Sequence, residues 1–184
     1  MSENCPLCNR KVHVDRFQSG LSNYDCPRCG RFGISRTLAH SVILNAEDKQ
    51  WLSIYTRSTP DAKLETSNYT EAVESVRLPL GQRLQKMITA LYDLAGGGAG
   101  VEIELSRLEH APLCWAPSPE EMNAMLKALE IQGFLEVKAK RPDDGVIVAL
   151  TAGAVVAEQA RSQEEEEERQ RQQSRGTLGF QRRQ

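Results

Sequence analysis

Between residues 81 and 95, GQRLQKMITALYDLA, the apolar side chains Leu84, Met87, Ile88, Leu91, Leu94 and Ala95 recur at three- and four-residue steps. That spacing predicts an amphipathic helix with one buried stripe. GGGAG at 96–100 ends it, and VEIEL at 101–105 alternates as a strand does. HAPLCWAPSPEE turns the chain with three prolines. Ser118 then caps a second helix, with Pro119 at its first position and Glu121 completing a capping box. Met122, Met125, Leu126 and Leu129 form that helix's core stripe, and Gly133 suits its C-terminal end. FLEVKAK and VIVAL read as two strands around RPDDG, a turn that holds Asp143 and Asp144. Thr151 caps a last helix.

The N-terminal half is less regular. VHVDRF and GRFGIS read as short strands. SRTLAHSVIL at 35–44 places Leu38, Val42 and Ile43 on one helical face. Asn45 caps a helix over 45–58 whose buried side is Trp51, Leu52 and Tyr55, and Pro60 ends it. Residues 59–80 are polar and poorly periodic, mainly a linker with at most one short element. After 161 the pattern lapses. Glu164 to Glu168 are consecutive acids followed by Arg/Gln-rich sequence, which no core can hold. This is a solvated helix extension that frays into disorder.

Composition changes the picture modestly. The 184 residues are 40% hydrophobic and 26% charged, with net charge −2, as expected of one medium or two small globular domains. No apolar run approaches the ~20 residues of a membrane helix. MSENCPLC lacks the pattern of a secretory signal, so a cytoplasmic location and no membrane partner are expected.

The candidate chemistry lies in the cysteines. Cys5 and Cys8 form one CxxC pair, Cys26 and Cys29 another, with residues 9–25 between them. A CxxC turn aims two thiolates at one centre, and two such turns joined by a hairpin make a closed tetrahedral sulfur site. Pro6 and Pro27 stiffen the turns, and Gly30 follows the second pair, where positive φ is often needed. One structural Zn²⁺ is the expected cofactor. An iron site uses the same ligands but fits the hairpin-sized spacing less well. A thioredoxin-like reading fails for want of a βαβ pattern. Four thiolates close the coordination shell, so His13 is not needed as a ligand and no catalytic metal is expected. His40 and His110 have no ligand-spaced partners. GGGAG lacks the lysine of a phosphate-binding loop. Cys114, beside Trp115, reads as a buried apolar residue rather than a nucleophile. No catalytic residue and no enzymatic activity is expected.

The predicted fold class is therefore α+β. A zinc ribbon spans 1–36, a helical connector 37–80, a winged-helix-like domain 81–160, and a charged helix with a largely disordered tail 161–184. The order over 81–150 (helix, strand, connector, helix, hairpin) is that of a helix-turn-helix with a β wing. CPLC…YDCPRCGRFGIS, LSIYTR and PLCWAPSPEEMNAMLKALEIQGFLEV…ALTAGA together resemble the N-terminal region of bacterial proteins from prophage and defence islands. In those, a zinc ribbon and a winged helix precede a TIR-like or nucleoside deoxyribosyltransferase-like effector domain. The resemblance covers about 5–160 and implies a sensor or adaptor. The chain stops at Gln184, so no effector activity carries over.

Charge divides the functional readings. Within 1–36, Arg10, Lys11, Arg16, Arg28, Arg31 and Arg36 face only Glu3, Asp15 and Asp25, a local excess of three positive charges. Arg10, Lys11, Arg28 and Arg31 are the candidate nucleic-acid contacts. The helix after Ser118 carries Glu120, Glu121 and Glu130 against one Lys127, which suits phosphates poorly. Lys138, Lys140 and Arg141 on the wing are offset by Glu136, Asp143 and Asp144. A nucleic-acid-binding regulator or sensor/adaptor leads; its rival is a protein-interaction or homo-oligomerisation module.

Overall fold

The computed structural model describes residues 2–16, 20–41, 43–142 and 144–181. It is mixed α and β, organised around two separate apolar cores. The expectations for Phe17, Val42 and Asp143 lie outside the described residues, as does the side chain of Arg16.

The first core is built on a five-stranded sheet in sequential order. β1 (Ser2–Asn4), β2 (Lys11–Arg16), β3 (Leu21–Cys26) and β4 (Gly30–Ser35) are antiparallel neighbours, and β5 (Ala62–Leu64) joins β4 in parallel. Val12, Val14, Tyr24, Phe32 and Ile34 turn inward, with Tyr24 stacked on Phe32 at 5.4 Å. α1 is only Arg36–Ala39; it buries Leu38, whereas Ile43 is exposed. Among the described residues of 35–44, helix is thus limited to the single turn of α1.

Residues 37–80 are not a free connector. α2 (Ala46–Ser58) packs on β4, and α3 (Tyr69–Val76) packs on α2. Leu52, Leu64, Ala72 and Val73 belong to the same core as Phe32 and Cys29. The ribbon and the connector therefore share one apolar interior, because a four-stranded ribbon alone leaves an apolar face that needs a cover. Residues 59–80 hold a strand and a helix where mostly linker was expected. Asn68 organises that stretch: its side-chain carbonyl accepts from Glu65 N–H at 2.8 Å and its amide donates to Lys63 C=O at 2.9 Å.

The second core belongs to 80–155. α4 (Leu80–Leu94) presents Met87, Ile88 and Leu91 inward, while Leu94 is exposed. β6 (Glu102–Ser106), β7 (Leu135–Lys140) and β8 (Gly145–Leu150) form an antiparallel sheet ordered β6–β8–β7. α5 (Arg107–His110) and α6 (Pro119–Ile131) lie between β6 and β7 in sequence. Ser118 Oγ accepts from Glu121 N–H at 3.2 Å. The reciprocal half of the predicted capping box is replaced, since the Glu121 carboxylate pairs with Arg83.

α7 runs from Ala152 to Gln181, well past the point at which a tail was expected. Its first turns are anchored on α4 through Glu158, which is 1% exposed. Gln85 donates to that carboxylate at 2.9 Å, and Arg161 pairs with it while donating to Thr89 at 3.0 Å. Beyond, four-residue spacing links Gln170 to Glu166 and Arg171 to Glu167 along an exposed helix. Among the described residues no helix is long and apolar enough to cross a membrane.

Candidate metal centre

Both CxxC turns lie at the same end of the sheet. Cys5 to Cys8 joins β1 to β2, and Cys26 to Cys29 joins β3 to β4. In each turn the residue after the second cysteine adopts the left-handed conformation, Asn9 at φ 63° and Gly30 at φ 78°. Asn9 N–H donates to Cys5 C=O at 2.8 Å, and Cys5 N–H to Arg10 C=O at 2.7 Å, closing the first turn. Asparagine is among the few non-glycine residues that enter this region readily.

The four sulfurs meet. Cys5 Sγ lies 3.8 Å from Cys29 Sγ and Cys8 Sγ 3.5 Å from Cys26 Sγ, and all four fall within 4.8 Å of one another. A tetrahedral site with metal–sulfur bonds of about 2.3 Å has sulfur–sulfur edges of ~3.8 Å. The donor set therefore fits one metal ion. Cys5, Cys26 and Cys29 are buried and Cys8 is partly exposed. Hydrogen bonds from Cys26, Cys5 and Cys8, then burial, push the Cys29 thiol up, while hydrogen bonds from Cys29, Cys5 and Cys8 hold the Cys26 thiol down.

Helix α2 supports the site from behind. Thr56 Oγ1 donates to Cys29 C=O at 2.8 Å, and Ser53 Oγ stands 3.4 Å from Cys29 Sγ. Arg57 donates to Pro27 C=O at 3.3 Å. A Cβ at Gly30 would meet Thr56 C=O at 3.3 Å, so the absent side chain permits both the turn and the close approach of α2. Ser53 and Thr56 are buried where Trp51 and Tyr55 were expected and are only partly so. Their signal in the sequence is faint. Ser53 also donates to Lys49 C=O, and the single Thr56 hydroxyl hydrogen is shared between Cys29 C=O and Leu52 C=O of its own helix, which makes burial tolerable.

The candidate cations are differently placed. Arg10 pairs with Glu109. Arg28, between the two cysteines of its turn, donates to Leu108 C=O at 2.8 Å. Both reach α5, so the metal turns are tied to the second unit. Arg31 grips Asp61 through three hydrogen bonds of 2.8 to 3.1 Å. Lys11 is exposed. A further link joins the units: the Arg83 guanidinium sits 5.4 Å from the Trp51 ring centre and pairs with Glu121. On and beside the β7–β8 hairpin, Lys138 pairs with Glu136 and Arg141 with Glu104. Cys114 is fully buried, and burial pushes its thiol up to about 12, so it stays protonated.

No protein-family description, curated protein or solved structure matches this chain.

Proposed function

We propose that this chain is a non-enzymatic binding protein, a sensor or adaptor in which one structural zinc ion fixes the ribbon and the ribbon holds a winged-helix-like unit. The hairpin-sized interval between the cysteine pairs favours zinc over iron, and a closed four-thiolate shell leaves no position for a reacting water. Reduced thiols suit a cytoplasmic setting.

The partner in this reading is a protein. The observation that carries it is where the positive charge goes: Arg10, Arg28 and Arg31 are engaged within the molecule. The Arg31–Asp61 pair is exposed and weak on its own, under about 1 kcal/mol. Asp61 nevertheless remains beside Arg31, so the local field is neutral to an approaching phosphate. Glu120 and Glu130 on α6 add negative charge where a groove-reading helix would need the opposite, while Glu121 is paired with Arg83.

Nucleic acid is the second reading. The order α4, β6, α5, α6, β7, β8 with β8 between its partners favours it, as do the exposed Lys11, Lys127 and Lys140. A salt titration with duplex and single-stranded DNA and RNA separates the two. The protein-partner reading expects no saturable complex at low salt. A sequence-specific complex abolished by Lys127→Ala would replace it with the nucleic-acid reading.

A further inference from the structure

A cleft of about 370 Å³ opens where the two units meet. It falls within the ~300–1,000 Å³ range of small-molecule sites, which favour such joints. Arg57 from the end of α2 stands on one side. Lys86, Asp93 and Leu94 of α4 form another, and Leu113 and Trp115 from the turn after α5 complete it.

Trp115 is held in an unusual conformation. Ala116 N–H donates to Ala111 C=O at 2.9 Å, and Trp115 N–H to Pro112 C=O at 3.1 Å. This is the paired pattern that ends many helices, and Trp115 occupies the left-handed position that glycine normally fills. Its φ is 57°. A side chain there is strained where glycine would not be. The turn itself needs no indole, and backbone strain of this kind clusters at ligand sites. The Lys86 ammonium lies 5.5 Å from the centre of the Trp115 ring. Neither Lys86 nor Arg57 has an ion-pair partner among the described residues.

We propose that this cleft binds a small molecule that joins a flat ring to an anionic group. The ring packs on the Trp115 indole. Lys86 moves on its flexible stem to meet the anion together with Arg57. Asp93 accepts a hydrogen bond from the ring's edge. The site goes beyond the partner-binding reading and does not depend on it. Aromatic carboxylates and nucleoside monophosphates share this chemistry, so both are tested.

The experiment follows the heat-unfolding midpoint of the full, metal-loaded chain against indole-3-acetate, adenosine monophosphate and uridine monophosphate, each to millimolar concentration. A dose-dependent rise with one arm is expected, and the arm that responds identifies the source. Lys86→Gln, an exposed change, should weaken that probe at least tenfold with unchanged helical signal and metal content. Trp115→Gly should retain its metal and lose the probe. No rise with any of the three, or wild-type affinity in Lys86→Gln, overturns the proposal. Wild-type affinity in a folded Trp115→Gly overturns it equally.

Discussion

Gly30 shows how narrowly a metal turn is specified. It needs φ near 78°, and a Cβ there would press on Thr56 C=O at 3.3 Å. Gly30→Ala should destabilise the ribbon by about 1–2 kcal/mol from the backbone alone and weaken metal binding in a competition titration with a chromogenic chelator. Cys114 offers a test with a defined sign. An unfolded thiol ionises near its ordinary value of 9, while the folded one resists until about 12. Its contribution is fully present below pH 9 and lost as pH rises toward 12. Wild type should therefore lose stability faster than Cys114→Ala across that window, in chemical denaturation at stepped pH. Equal losses would mean the thiol is not buried in solution. The four candidate ligand cysteines were legible because their CxxC spacing is itself the signal. Ser53 and Thr56 were not, because a polar residue in a helix announces nothing about the loop that will pack against it.

At the scale of elements, α4, α6 and the β7–β8 hairpin could be read closely from apolar stripes, caps and turn residues. Ser118→Ala should cost about 1 kcal/mol in the unfolding of the second unit and leave the metal content unchanged. β3 and β5 escaped for opposite reasons. β3 carries Asn23 and Asp25 on its outer face and the polar Ser22 on the same face as Tyr24 and Cys26, so its alternation is weak without knowledge of the hairpin that pairs it. β5 is three residues long, too short for a period, and exists only because β4 offers it a free edge. α7 continues where no core is available. Its exposed reach rests on charged pairs at helical spacing, which read equally well as a solvated tail.

The whole molecule is two cores joined by few contacts, and two of those contacts originate in the metal turns. Arg10→Ala combined with Arg28→Ala should leave metal binding intact yet loosen the second unit. Solution scattering should then give a larger radius of gyration than wild type; an unchanged radius would show that Trp51, Arg83 and Glu121 suffice to hold the units. The second core uses no residue of the first. A fragment of 76–165, which retains Glu158 and Arg161, should unfold cooperatively in the presence of chelator, by circular dichroism. Loss of its helical signal would show that both cores fold as one.

The proposed function requires four thiolates to hold one zinc ion. Native mass spectrometry of the full chain tests it most directly. One bound zinc per chain is expected, lost in Cys5→Ser or Cys29→Ser and retained in Cys114→Ser. A metal-free chain lightened by the hydrogens given up to disulfides, or a chain carrying iron, would contradict it.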